Sequence, residues 1–280
     1  MNKNILQALS GGFDSTCLLI KNLENGDHVY PVYIKASSVD PVKRQIELKV
    51  IKELLANPEI KTHNLHDLIT VPLHMRNIDG IFSFQPVLWT LGLFCEVKKR
   101  RDFYDEVHIG YIMNDSAVSY LGEIKRIWRS FFSLSFPEYN KIPELEFPLV
   151  KYSKEMVINK LLYFQNTVAY NCWTCERPSV LYERKKKNHG GREQIIEHCG
   201  RCAPCKKIKE YIGLENLPRY RRTEHRELLG RLVKRYKEKL PLDDPIILDM
   251  LITCEKLDEK ESTHITSIVE RRENRKKQGM

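Results

Sequence analysis

Seven residues near the N-terminus, Ser10-Gly11-Gly12-Phe13-Asp14-Ser15-Thr16, leave this chain few folds to choose from. They follow the apolar stretch Asn4 to Leu9, which reads as a strand. They open a run from Asp14 to Leu23 in which Cys17, Leu18, Leu19 and Leu23 recur at helical spacing. A strand that turns through two glycines into a helix brings backbone close to a ligand and points the first helical amides at it. Those amides are the positive end of the helix dipole, so the arrangement suits pyrophosphate. Hydroxyls of Ser10, Ser15 and Thr16 can add hydrogen bonds, and Asp14 can orient Mg²⁺ or a loop amide. A strand-to-helix turn merely capped by serines is the plainer alternative. The sequence has no Gly-x-x-x-x-Gly-Lys-Ser/Thr and no Gly-x-Gly-x-x-Gly, so neither the P-loop of kinases and GTPases nor a dinucleotide fold is supported.

Past the loop, patterning predicts a strand over His28–Ile34, helices over Val42–Leu55 and Gln85–Lys99, and a strand over Glu106–Ile112. Further helices are expected over Tyr120–Phe132 and, with Ser153 as N-cap, to about Tyr163. Strands alternating with helices imply an α/β fold, a parallel sheet covered by helices on both faces. We expect this domain over residues 1–170, a loop-rich metal-stapled segment over 171–213, and a basic helical C-terminal extension over 214–280. From Leu214 onward no strand is expected; Leu228, Leu229, Leu232 and Val233, then Ile246, Ile247, Met250 and Leu251, have helical spacing.

Five of the eight cysteines fall in one stretch, as Cys172-Trp173-Thr174-Cys175 and Cys199-Gly200-Arg201-Cys202-Ala203-Pro204-Cys205. Four thiolates at such spacing can surround Zn²⁺ tetrahedrally in a closed, structural site. A redox pair or an iron–sulfur cluster are the competing readings, and a Cys172/Cys175 plus Cys202/Cys205 set stays open.

Ser-Gly-Gly-x-Asp-Ser resembles the signature of the PP-loop ATP pyrophosphatases, whose fold is adenine-nucleotide alpha-hydrolase-like. These enzymes cleave ATP to AMP and pyrophosphate while adenylating an oxygen of their substrate. The class includes tRNA thiolases, lysidine synthetase, and the synthetases of GMP, NAD and asparagine. Cys-Gly-x-Cys-x-x-Cys before the basic helix from Lys206 to Tyr211 is similar to the zinc motif of one branch, the 7-cyano-7-deazaguanine synthases. That resemblance implies Cys175, Cys199, Cys202 and Cys205 as zinc ligands. Arg76-Asn77, Ile109-Gly110 through Asp115, and Phe147-Pro148-Leu149 with Ser153-Lys154 resemble further family segments in order, so the likeness covers roughly residues 3–213. The chain departs from the pattern at Ala36-Ser37-Ser38-Val39-Asp40-Pro41 and at Ala117-Val118-Ser119-Tyr120-Leu121. The insert between Cys175 and Cys199, with Lys185-Lys186-Lys187 and His189, is longer than in that family.

What the resemblance implies is an ATP-dependent C–N ligase using ATP, Mg²⁺ and Zn²⁺. It would adenylate a 7-deazaguanine acid and convert it with ammonia, through the amide, to the nitrile. Ser10, Gly11, Gly12, Phe13, Asp14, Ser15 and Thr16 would hold the nucleotide. Asp14, Ser15, Arg76 and Asp115 would serve the chemistry, with Lys154 as a further contact. A second expectation keeps the loop but changes the acceptor to tRNA, DNA or protein. Net charge is +9 with a pI near 9.0, and residues 219–239 hold nine Lys/Arg against three Glu, as an anionic partner would favour. A zinc-stapled nucleotide-binding protein without catalysis is the third, and a homodimer is left open. The longest apolar run, Val87 to Phe94, is too short to span a bilayer and the N-terminus lacks a secretory pattern, so a cytoplasmic location is expected.

Overall fold

The structure, a computed structural model, describes residues 2–36, 41–73, 85–100, 102–113, 115–138, 141–183, 193–213, 215–217 and 219–223. Arg76, the lysine run at 185–187 and the expected helices beyond 223 lie outside the described residues. In chain order the elements are β1 (Asn4–Ala8), α1 (Phe13–Glu24), β2 (His28–Ala36), α2 (Pro41–Leu55), β3 (Ile69–Leu73), α3 (Gln85–Lys99) and β4 (Glu106–His108). A 3-10 helix (Ser116–Tyr120) leads into α4 (Leu121–Ser135), then β5 (Glu144–Glu146), α5 (Lys154–Phe164) and α6 (Asn166–Tyr170). The metal-motif region adds β6 (Ser179–Glu183), β7 (Glu193–Glu197), α7 (Ala203–Tyr211) and β8 (Tyr220–Thr223). These described residues fall almost wholly in one compact unit, Met1–Tyr182 with Gln194–Arg222. The second unit, Glu183–Glu193 with Thr223–Met280, is described only at Glu183, Glu193 and Thr223.

The main sheet is parallel throughout, in the order β3-β2-β1-β4-β5. Parallel strands need crossover helices, and right-handed crossovers place the helices on opposite faces when the strand order reverses. The two apolar clusters follow that rule. Leu6, Val32, Ile34 and Val107 pack with residues of α3 and α4 on one face. Val29 and Tyr33 pack with residues of α1, α2 and α5 on the other. The α/β sheet with helices on both faces expected from the sequence is therefore what the chain forms.

Two main-sheet strands escaped the sequence reading. β3 carries Pro72 and pairs only with β2, and β5 spans three residues with a glutamate at each end. Both are edge strands, where proline and charge are tolerated because one side needs no partner. A third difference lies beyond Leu214, where no strand is expected but β8 joins β6 and β7 in a second sheet of order β6-β7-β8. Tyr220 is buried there despite its basic neighbours.

Central β1 has one polar residue fully enclosed. Gln7 donates through Nε2 to the Ser15 carbonyl at 2.9 Å and accepts from Asn22 Nδ2 at 2.9 Å. His108 Nδ1 lies 3.3 Å from Asn22 Oδ1. A buried amide left unpaired costs about 1–3 kcal/mol, so this chain of bonds fixes α1 against β1 and β4. On the opposite face α3 crosses β2 closely at Gly92, where an added Cβ would come within 2.5–3.0 Å of three Ile34 side-chain carbons. Gly92→Ala is expected to destabilise the protein by about 1–3 kcal/mol, the usual cost of overpacking. Thermal unfolding checks this, and an unchanged midpoint would contradict the close crossing.

Candidate functional site

Because the strand order reverses beside β1, the loops after β1 and β4 leave the sheet in opposite directions and open a crevice beyond the strand ends. A cavity of about 450 Å³ opens there, bordered by Ser10, Gly12, Asp14, Ser15, Gly110 and Asp115 among others. The two loops touch. A Cβ added at Gly110 would lie 3.1 Å from the Asp14 carbonyl oxygen, a crowded approach that glycine eases.

Gly11 makes the first turn with φ +74°, a left-handed conformation in which a side chain would also press on Val50 and Ile51. Its carbonyl accepts from Trp173 N at 2.8 Å. Gly12 is the N-cap of α1, and no side chain caps the helix. The first intrahelical bond of this turn runs from Thr16 N to Gly12 O, at 3.0 Å. By helix geometry the amides of Phe13, Asp14 and Ser15 have no carbonyl one turn earlier to receive them. Ser10 and Ser15 close the loop between them. Their hydroxyl oxygens are 3.0 Å apart, Ser15 Oγ accepts from Ser10 N at 3.2 Å, and it lies 3.2 Å from the Gly12 carbonyl, to which it can donate.

Thr16 differs from the expectation that its hydroxyl contacts phosphate. Its side chain is fully buried and borders no part of the cavity, and its amide is committed to Gly12. The reason is rotation: successive helical residues turn by about 100°, so Ser15 and Thr16 cannot share one exposed face. Gly11 stands behind the cavity wall, shaping the turn. Phe13 borders the cavity while its ring belongs to the core.

Lys154, a weak candidate from sequence, is brought directly to the loop. Ser153 caps α5 by accepting from Met156 N at 3.2 Å, and Lys154 follows as the first helical residue. Its ammonium donates to both Asp14 oxygens, at 2.9 and 2.7 Å, with only 10% of the lysine side chain exposed. The segment before α5 is held by Met113 N, which donates to the Tyr152 carbonyl at 3.0 Å. Asp115 accepts from Ile112 N at 2.9 Å. Burial raises the Asp115 carboxyl above the usual range and the Asp14 charge adds to that, while Lys154 and Lys207 pull it back. Lys207 also borders the cavity. The sequence displayed it only as one lysine of a basic helix. Glu47 and Trp89 border the cavity as well, without any motif to announce them.

The four cysteines carried over from the motif meet in space. Ligand sulfurs of Cys175, Cys199, Cys202 and Cys205 all lie within 4.8 Å of one another, with Cys199 and Cys205 at 4.0 Å. Around a single zinc with Zn–S bonds of 2.3 Å, tetrahedral sulfurs stand about 3.8 Å apart, so the set fits one ion with little movement. Amides of Arg201 and Cys202 donate to Cys199 Sγ at 3.4 and 3.3 Å, and Cys199 N donates to Cys175 Sγ at 3.3 Å, which favours thiolate character. Cys172 stands apart. Its thiol donates to the Val168 carbonyl at 3.4 Å, and burial pushes it up to about 12, so the alternative set containing Cys172 is not formed. The cysteine-bearing segment is also cavity wall, for Trp173, Thr174, Ala203, Pro204 and Lys207 border it.

Among the described residues no helix is long and apolar enough to cross a membrane. No protein-family model matches the chain, and no curated protein matches it. Solved structures overlay on it weakly. A U34-tRNA thiolase of Methanococcus maripaludis with a [4Fe-4S] cluster is 15% identical over 59% of this chain and 58% of its own, with a TM-score of 0.37. An NMN synthetase of Francisella tularensis is 16% identical over 60% and 65%, with a TM-score of 0.33. A glutamine-dependent NAD⁺ synthetase of Acinetobacter baumannii, solved with ADP, is 15% identical over all of this chain and 42% of its own, at 0.32. The chain thus spans under two thirds of the length of each of these three proteins.

Cys175→Ser removes one of four thiolates and is expected to abolish stoichiometric metal content and lower the melting temperature by several degrees. Metal content by mass spectrometry that equals wild type would count against the four-sulfur site.

Proposed function

We propose that the cavity seats ATP, with its polyphosphate on the uncapped first turn of α1, and that the protein is an ATP-pyrophosphatase-type ligase. The observation that carries this reading is the uncapped start of α1, opening into a cavity at the sheet's switch point. Within that class we propose the chemistry of the 7-cyano-7-deazaguanine synthases. A carboxylate oxygen of the deazaguanine acid attacks the α-phosphorus and pyrophosphate departs. Ammonia then displaces AMP from the acyl carbon to give the amide. Activation of the amide oxygen in a second round, with loss of AMP and protons, gives the nitrile.

The chain's own residues have defined parts in this. The amides of Phe13, Asp14 and Ser15, fixed before the reaction begins, offset charge building on the departing pyrophosphate. Lys154 adds a cation beside them, and Asp14 sets where that cation stands. Asp14 and Asp115 are like charges bordering one cavity, a conflict that a cation relieves, so they are the carboxylates that would hold Mg²⁺. Mg²⁺ arriving with the nucleotide would supply further charge neutralisation on the phosphates. Zinc is the ion we assign to the four cysteines; a cubane cluster would spread its thiolates over four irons, farther apart than these sulfurs stand.

Full-length protein incubated with ATP, Mg²⁺, ammonium and 7-carboxy-7-deazaguanine is expected to release AMP and pyrophosphate and to form a nitrile detectable by mass spectrometry. Asp14→Ala is expected to lower AMP release on the order of a hundredfold, as loss of a transition-state electrostatic group does. Equal AMP release from both proteins would sink the site assignment. A second reading, with a nucleic acid as acceptor, is favoured by the net charge of +9. It predicts binding to tRNA or DNA that weakens steeply between low and moderate salt, and flat binding across salt would remove it.

A further inference from the structure

One charged side chain in the cavity wall is used by none of the steps above. Glu47 lies on α2, faces the cavity region bordered also by Lys43 and Trp89, and has a side chain only 12% exposed. Tyr33 OH, rooted in β2, donates to Glu47 Oε2 at 2.7 Å, and Lys43 Nζ lies 3.8 Å from Oε1. An ionised carboxylate has about four acceptor positions, so among the described residues these two partners leave acceptor capacity over. Burying such a group with capacity to spare is costly unless another donor arrives.

We infer that Glu47 reads the hydrogen-bonding edge of a guanine-like acceptor and thereby sets the base class that the enzyme accepts; the inference rests on the ligase reading above. A guanine-like ring offers two adjacent donors, the ring N1–H and the exocyclic amine, and a carboxylate accepts from both at once. An adenine edge sets one donor beside a lone pair, which a carboxylate oxygen repels. The adenine of ATP is therefore unsuited to this position, and the acceptor is suited to it. Trp89 adds an aromatic surface of the kind on which a base stacks, as pockets that enclose single bases do. Burial raises the Glu47 carboxyl above the usual range while Lys43 and Tyr33 pull it back. Two ligand N–H groups would fill its remaining acceptor positions.

The test is a swap of edges. Glu47→Gln keeps the shape and an oxygen for Tyr33 OH, but it presents one acceptor and one donor, the complement of an adenine-like edge. Calorimetry on the full-length protein compares 7-carboxy-7-deazaguanine with 7-carboxy-7-deazaadenine. Wild type is expected to prefer the guanine analogue, and Glu47→Gln to lose tenfold to a hundredfold in that affinity while gaining for the adenine analogue, the discrimination that a two-bond base contact gives. Glu47→Asp keeps both acceptors and is expected to weaken binding without reversing the order. ATP affinity and melting temperature, matched across the three proteins, separate this from misfolding. The inference is overturned if Glu47→Gln binds both acids as wild type does, or if wild type binds ATP but neither acid. If the preference tracks residue 47 while no AMP forms, the inference stands and the ligase chemistry fails.

Discussion

A helix whose leading amides lack acceptors is an electrostatic commitment, and this fold is organised around one. α1 starts at a glycine with no side chain to cap it, directly off the central strand of a parallel sheet. Water or an anion must satisfy those N–H groups. The surrounding structure fixes the helix rather than capping it. Gln7 holds the Ser15 carbonyl from below, Gly11 turns at positive φ against Val50 and Ile51, Gly110 lets the Asp14 backbone approach, and Asp14 is clamped by Lys154. Under the proposed ligase reading this rigidity would matter chemically, since dipoles already aligned need no rearrangement when charge develops.

The thiolate cluster belongs to the same construction. Trp173 N donates to the Gly11 carbonyl, and two residues later Cys175 enters the four-sulfur set. Cys205 and Lys207 sit on one short helix, the first facing the ion site and the second bordering the cavity. A closed metal site on these four sulfurs would contribute folding free energy beside the apolar cluster of Ile46, Val50, Trp173 and Ile196. Its segment also forms part of the cavity wall, so the sulfur cluster and the cavity are two ends of one segment.

The sequence displayed the loop, the helices and the Cys-x-x-Cys pairs because each is encoded locally. Glycines at fixed offsets, a 3.6-residue apolar period and Cys-x-x-Cys spacing all lie within a dozen residues, whereas joining Cys175 to Cys199, Cys202 and Cys205 came from the family resemblance. Edge strands were harder. β3 and β5 are short, carry proline or charge, and take their identity from a partner strand far away in sequence. Thr16 reads like its neighbour Ser15, and only the helical phase sends it into the core. Lys154 and Lys207 look like any surface lysines until folding sets one on Asp14 across 140 residues and the other on the wall of the same cavity. Glu47 was invisible, because nothing in a helical pattern distinguishes a glutamate aimed at solvent from one pinned beneath a tyrosine hydroxyl.

Gly110 meets the backbone of Asp14 and Ser15, where an added Cβ would be crowded at 3.1–3.3 Å, so the seam between the β1 and β4 loops favours glycine. Glu47 and Trp89 come from α2 and α3, elements that do not build that seam. Substitutions in those outlying walls would therefore reshape the cavity without disturbing the loop that opens α1.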